Sequence, residues 1–319
     1  MRNALRCFIS SVAFVTFCTA VAQADPLPGR DVLKFQQKPL DNLTVIPGVA
    51  PFFGHDELST AINTGPTVPY QGTAMADDFA DKFSTPIVHV SWWGSYLDRQ
   101  QFNGVPRFLI SFESDVPASP TGGFSHPGVP LLAQVVNKGA LAPLSGTFTE
   151  TLVSNGGAPQ NEQLYKYNAE LALPFAEQPD TVYWLEIVAL VNPTTDGAIQ
   201  WGWHDRDYTQ PDALASTPPA VNPGERNLAP ASGPFPVWHF QDDAVKSTIS
   251  ALITPNGVQQ LVEDGFAPQT YLDNIDGPPG IGQFSKDLAF SLYTVPEPAC
   301  AGLLVLGAVS FLRRRKACA

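Results

Sequence analysis

The sequence predicts an all-β fold, a single β-sandwich of roughly eight to ten strands with a jelly-roll-like arrangement. Three observations carry this expectation. Short runs of β-branched and aromatic residues, bounded by Gly and Pro, recur through the middle of the chain. No convincing amphipathic helix of several turns lies between them. The 31 prolines favour short strands and long loops over helices. No internal repeat is present, which argues against a propeller or a solenoid.

In chain order, the first segment is 1–24. Arg2 and Arg6 give a positive start, an apolar stretch runs from Cys7 to Val21, and Ala22-Gln23-Ala24 places small residues ahead of Asp25. This is the pattern of a secretory signal peptide cut between Ala24 and Asp25 by a signal peptidase. Residues 25–70 are rich in Pro, Gly and Asn and read as an extended lead-in with room for an edge strand. The sandwich is expected over 71–294.

Within it, Ile87–Trp93 and Arg107–Glu113 read as strands. Leu164–Leu173 alternates, with Tyr165, Tyr167, Ala169, Leu171 and Leu173 on one face and Lys166, Asn168 and Glu170 on the other. That is a half-buried strand. Val182–Val191 is nearly continuous in apolar residues and reads as a central strand covered on both sides. Ile199–Trp203, Val237–Phe240 and Leu288–Tyr293 complete the strand set. Ala244–Ile253 reads as a short helix with Asp242 or Asp243 as its N-cap, and Gln210–Pro236 reads as a long loop.

The last segment, 295–319, ends the chain differently. Val295-Pro296-Glu297-Pro298 is followed by an apolar run from Ala299 to Leu312, then by Arg313, Arg314, Arg315 and Lys316. At about 1.5 Å per residue the run reaches roughly 21 Å, short of the roughly 30 Å hydrocarbon core of a bilayer. The cations after it favour a cytoplasmic end. A short hydrophobic helix there suits a transient stop better than a permanent anchor.

These three parts, in this order and behind a signal peptide, resemble a PEP-CTERM sorting signal. The resemblance implies recognition by an exosortase, a membrane-embedded cysteine protease, and delivery to the cell surface or the exopolysaccharide matrix. An ice-binding label attached to the same tail family finds no Thr-x-Thr ladder here. The body also resembles an uncharacterised β-rich domain of secreted bacterial proteins. Ala76-Asp-Asp-Phe79, Val90–Ser95, Ile110–Pro117, Ser125–Gly128, Tyr183–Ile187, Trp201-Gly-Trp203 and Asp287–Phe290 carry that likeness. It implies a fold and a setting, and no activity.

Composition agrees with export. The four cysteines (Cys7, Cys18, Cys300 and Cys318) all fall in the end segments, so the exported body has neither a disulfide framework nor thiolate chemistry. The chain has 18 Lys+Arg against 30 Asp+Glu. Setting aside the two arginines of the signal and the four cations after Pro298 leaves 12 basic and 30 acidic residues over 25–298, a net −18. A body this acidic does not attract nucleic acid or anionic membranes.

No hydrolase elbow, zincin motif, P-loop, dinucleotide fingerprint or EF-hand loop is present, and no catalytic residue is assigned. None of His55, His89, His126, His204 and His239 lies three or four residues from another, the spacing zinc would need. His89, on an apolar strand, reads as structural. Asp205 and Asp207 flank Arg206 and are the candidate Ca²⁺ ligands. Asp77-Asp78 and Asp242-Asp243 are similar pairs, and all three pairs also suit turns and caps. Trp92 and Trp93 must point to opposite faces of their strand, whereas Trp201 and Trp203 share one. Trp93, Trp201 and Trp203 are therefore the candidate platforms on which a sugar ring could stack. The expected function is that of an exported surface or matrix protein with a non-catalytic sandwich that associates with polysaccharide. The alternatives are a purely structural surface component and a secreted glycan-active enzyme.

Overall fold

The computed structural model describes residues 30–40, 56–65, 67–97, 103–117, 124–154, 163–206, 244–268 and 287–295. Outside them lie the signal residues Ala22, Ala24 and Asp25, the tail residues Pro296, Glu297, Pro298, Arg313, Arg314 and Arg315, and Asp207, Asp242 and Asp243. The expected Gln210–Pro236 loop and Val237–Phe240 strand also lie outside.

Among the described residues the fold is all-β, with fourteen strands in one sheet. They are β1 (Val32–Gln37), β2 (Asp56–Leu58), β3 (Thr60–Ile62), β4 (Tyr70–Phe79), β5 (Ile87–Tyr96), β6 (Arg107–Val116), β7 (His126–Lys138), β8 (Thr147–Ser154), β9 (Leu164–Phe175), β10 (Tyr183–Val191), β11 (Trp201–His204), β12 (Val245–Thr254), β13 (Gly257–Pro268) and β14 (Phe290–Thr294). The order is β1-β14-β5-β9-β8-β7-β6-β10-β3-β4-β12-β13, with β11 joining β2 to β5. Pairing is antiparallel except for β7 with β8 and β10 with β3.

Ring contacts between strands distant in that order show that the sheet folds onto itself. Phe79 of β4 lies 6.1 Å from Phe35 of β1 and 6.5 Å from Phe290 of β14. Trp92 of β5 meets Phe108 of β6 edge-on at 5.1 Å, and Phe112 of β6 stacks on Phe175 of β9 at 4.4 Å. The two layers therefore face each other across one aromatic core, as in a sandwich. At one rim the layers are joined by two residue pairs between β7 and β8. At the other, consecutive strands do the joining: β2 pairs with β11 of one layer, and β3 with β4 and β10 of the other.

The count exceeds the eight to ten strands expected: the lead-in supplies three, and the other eleven include the β12–β13 hairpin, whose first strand stands where a short helix was expected. β1 is the edge strand for which that segment had room, but β3 lies inside the sheet between β10 and β4. Another correction is Ala244–Ile253, which is strand β12 and not a helix. Val245, Ser247, Ile249 and Ala251 are buried, while Lys246 and Thr248 are exposed, which is a period of two. Seven backbone positions pair with β4, from Val245↔Ala76 to Ala251↔Tyr70. The pairing satisfies the backbone of both strands at once, a gain that a short helix of weak propensity does not match.

β10 is buried at every position, in agreement with its continuous apolar run. Its Leu185, Ile187, Ala189 and Val191 enter the inter-layer core, whereas Val188 and Leu190 join a second cluster on the outer face with Leu109, Ile249 and Ala251. Partly buried Val258 and Leu261 of β13 cover that cluster. Leu185→Ala will lower unfolding free energy by about 2–5 kcal/mol, through lost burial and an unfilled cavity. Urea unfolding tests this, and an unchanged midpoint would place Leu185 outside the core.

The alternating β9 is covered on both faces, not half-buried. Tyr167, Ala169 and Leu171 fill the core, but Asn168 and Glu170 are buried as well. Asn168 accepts a hydrogen bond from Ser91 at 2.6 Å, and Glu170 is paired with Arg30 at 2.5 Å. Leu173, placed with the core residues by its alternation, is instead exposed.

Candidate functional site

β6 and β10 are antiparallel neighbours with Trp184 opposite Glu113 and Glu186 opposite Ser111. Because side chains alternate across a strand, Ser111, Glu113, Trp184 and Glu186 all project from the outer face of this layer. β13 folds back over the same face. Its Phe266 packs against the cluster of Ala76, Trp184 and Val245 and stacks on His126 of β7 at 4.8 Å. The return of β13 brings Glu263 against the two glutamates below it. One carboxylate oxygen from each of Glu113, Glu186 and Glu263 lies within 4.8 Å of the others.

Glu113 and Glu186 are fully buried, and Glu263 is half-buried at the rim. None of the six carboxylate oxygens has a hydrogen-bond donor in bonding geometry. Burial, and then the charge of Glu263, push the Glu113 carboxyl up to about 9. Burial, followed by Glu263 and Glu113, holds Glu186 well above the usual carboxylate range. The Ser111 hydroxyl is close enough to favour the charged form of Glu113, yet it too is buried without a bonded partner. Nearby, Trp184 donates its Nε1–H to Asp115 at 2.8 Å, so that carboxylate is engaged.

A second group, Asp31, His89 and Glu170, also converges closely enough to share one ion. Here the cation is internal: Arg30 reaches both Asp31 and Glu170 at 2.5 Å. His89 lies between Ser91 at 3.2 Å and Glu170 at 3.3 Å, the structural role expected of it.

The tryptophans proposed as platforms are part of the interior. Trp201 and Trp203 have no exposed surface and lie in the inter-layer core. Trp201 donates to the Tyr167 hydroxyl at 3.1 Å and Trp203 to the Ala289 carbonyl at 2.9 Å. Gly94 permits this packing, since a Cβ there would lie 2.5 Å from the Trp201 ring. Trp93 does point away from Trp92, but it is 8% exposed and packs with Leu164 and Ala289. The Lys166 ammonium lies 5.4 Å from its ring centroid. No sugar ring can reach the face of Trp201 or Trp203, and too little of Trp93 is open to serve as a platform.

Asp205 is likewise buried, in an isolated bridge with Leu288. Its neighbour Arg206 pairs with Asp287 at 2.8 Å, beside Asp77. Asp77 and Asp78 lie within β4, not in a turn, and Asp77 accepts the Leu288 N–H at 2.6 Å. The guanidinium of Arg206 thus serves this corner, and Asp205 does not join the three glutamates. His204 is bound by Asp56 at 3.0 Å and by the Leu40 carbonyl at 2.6 Å. Burial alone would lower its imidazole, but the Asp56 carboxylate raises it to about 9.

An open groove of about 800 Å³ lies between β7, the β10–β11 connection and the β12–β13 turn. Asn137, Asn192 and Asn256 line it together with Tyr70, Arg107 and Thr195. Arg107 is paired with Asp196 at 3.4 Å, and Asn192 accepts the Thr194 N–H. The described lining contains no carboxylate.

Sequence reasoning passed over the glutamates. The available signal was Glu186, a lone charge in an otherwise apolar strand that had to be covered on both faces. Nothing in the sequence tied it to Glu113 or Glu263.

No curated protein and no solved structure matches the chain significantly. One family model does match, described as a domain of unknown function (DUF7901), over residues 33–247. The match opens inside β1 and closes inside β12, so it takes in the strands that carry Glu113 and Glu186 but not β13 with Glu263. Since it spans more than half of the sequence, the chain belongs to the DUF7901 family.

Proposed function

We propose that this is an exported protein, delivered to the cell surface or extracellular matrix, whose non-catalytic sandwich associates with polysaccharide through the amide-lined groove. The groove carries the reading. Side-chain amides both donate and accept hydrogen bonds, which is what a row of sugar hydroxyls requires. Asn137 comes from β7 and Asn256 from the β12–β13 turn, and both line the groove together with Tyr70 and Arg107. A groove without a carboxylate in its described lining offers no acid–base pair for glycoside cleavage, which favours binding over hydrolysis. The setting rests on the sequence: the Ala22–Ala24 cleavage pattern, Val295–Pro298, and the Arg313–Arg315 cluster after a short apolar run.

Two measurements test the proposal. In a host with an exosortase, the intact mass of the mature surface protein will lack residues 1–24 and the apolar tail; recovery of the full tail would defeat the sorting reading. On a glycan array the exported protein will retain polysaccharide. Asn137→Ala with Asn256→Ala will weaken that retention by about tenfold or more without changing the melting temperature. Retention unaffected by these changes would remove the groove from the function and favour a purely structural surface role.

A further inference from the structure

We infer that Glu113, Glu186 and Glu263 form a binding site for a hard divalent cation of calcium size, which fastens β13 to the outer face of the β6–β10 pair. The inference is independent of the groove and of the tail. Acidic residues often cluster at protein surfaces without a ligand, but this cluster differs in two respects. Glu113 and Glu186 have no exposed surface, and among the described residues nothing outside the three carboxyls and Ser111 donates to any of them. The buried Ser111 hydroxyl beside them lacks a bonded partner as well. Buried polar groups in folded proteins are satisfied almost without exception, and buried like charges are strongly unfavourable unless something neutralises them. Among the described residues no arginine, lysine or histidine contributes to the field at Glu113 or Glu186. The Asp31–His89–Glu170 group, by contrast, contains Arg30.

The donor set indicates which cation fits. All of the donors are oxygens, three carboxylates and a hydroxyl, which suits calcium, magnesium or manganese and not soft, thiolate-seeking metals. Size narrows it further. A Ca²⁺ ion holds its ligands at about 2.3–2.6 Å, so its coordination sphere is about 4.6–5.2 Å across. Oxygens within 4.8 Å of one another can all touch such an ion. Magnesium, at about 2.0–2.1 Å, dehydrates reluctantly and usually keeps several waters, so an enclosed site built from three carboxylates suits calcium better. Glu263, half-buried at the rim, gives the ion a path from solvent, and binding displaces the protons that the buried carboxyls otherwise keep.

The test is a calorimetric titration of the full chain, stripped with EDTA, with CaCl₂, MgCl₂ and MnCl₂ in turn. One Ca²⁺ is expected per chain, bound more tightly than Mg²⁺, with proton release visible as a buffer-dependent enthalpy. Glu113→Gln with Glu186→Gln is expected to lose Ca²⁺ binding. Glutamine resembles the protonated acid in shape, so this variant should remain folded, as circular dichroism will report. Glu263→Gln, at the half-exposed rim, is a second and milder change, expected to weaken binding by about tenfold or more. Hydrogen exchange of the β13 amides should slow on adding Ca²⁺ and not on adding NaCl at matched ionic strength. Absence of stoichiometric Ca²⁺ binding, or binding retained in both glutamine variants, would overturn the assignment and leave the cluster as carboxyls that hold their protons. Preference for Mg²⁺ would overturn its size.

Discussion

The Trp201→Ala protein will unfold with about 3–5 kcal/mol less free energy than the parent, the range for removing a large aromatic from a packed core. Trp201 has no exposed surface. Its ring meets Phe108 edge-on at 4.9 Å and Tyr167 at 5.7 Å. Its Nε1–H donates to the Tyr167 hydroxyl, so truncation leaves a cavity and also deprives a buried oxygen of a donor. Gly94 lies against the ring without a side chain that could close the gap. A loss of this size is a large part of the total stability of a typical domain, about 5–15 kcal/mol. Urea unfolding followed by fluorescence and by circular dichroism measures it. A change under about 0.5 kcal/mol, as for ordinary surface substitutions, would return the ring to the surface and revive its role as a sugar platform.

In EDTA, the stability of the protein will fall as the pH rises from about 4.5 toward 9. Glu113 has an ordinary value of 4.5 and is raised to about 9 in the folded state; Glu186 moves in the same direction. Folded protein therefore holds protons that the unfolded chain releases. Between the two values, unfolding releases a proton, so each added pH unit favours the unfolded state by up to about 1.4 kcal/mol per group. Below the unfolded value the effect is absent, and above the folded value it is complete. His204, raised from 6.5 to about 9, acts in the same sense, since its favourable contact with Asp56 is lost as the pH rises through the folded value. Buried Asp77 is also raised, by burial and then by Asp287. Comparison with Glu113→Gln, Glu186→Gln isolates the cluster: the variant's decline between pH 4.5 and 9 will be shallower. Calcium will flatten the parent's profile and leave the variant's unchanged. A parent profile as shallow as the variant's would mean that the two carboxyls titrate normally, and hence that they are not enclosed.

The sequence pointed to calcium at Asp205 and Asp207, and the carboxylate cluster proposed above for that ion lies elsewhere. Asp205 and Asp207 stand out in sequence because they are adjacent to each other's neighbour, Arg206. Nearness in sequence says nothing of what lies opposite in space, and Asp205 is held in a bridge with Leu288, away from the glutamates. The three glutamates are separated by more than seventy residues each and converge only through pairing and the return of β13.

The sequence by itself determined which segments are strands wherever burial imposes a pattern. The apolar run of β10, the aromatic and β-branched runs of β5 and β6, and the alternation of β9 all mark strands in the structure. It also determined that Trp92 and Trp93 part and that Trp201 and Trp203 share a face, because the period of a strand is fixed at two. What lies over each face was decided by the tertiary structure. Arg30 and His89 cover the polar side of β9, Lys166 lies over Trp93, and β13 closes over Glu113 and Glu186. Ala244–Ile253 became a strand for the same reason, since the backbone partner that settles its state is β4, about 175 residues earlier in the chain. Periodicity is a property of neighbouring residues and can be read locally. Cover, register and the convergence of charges depend on which distant segment arrives, and that is settled by the energy of pairing and burial in the folded whole.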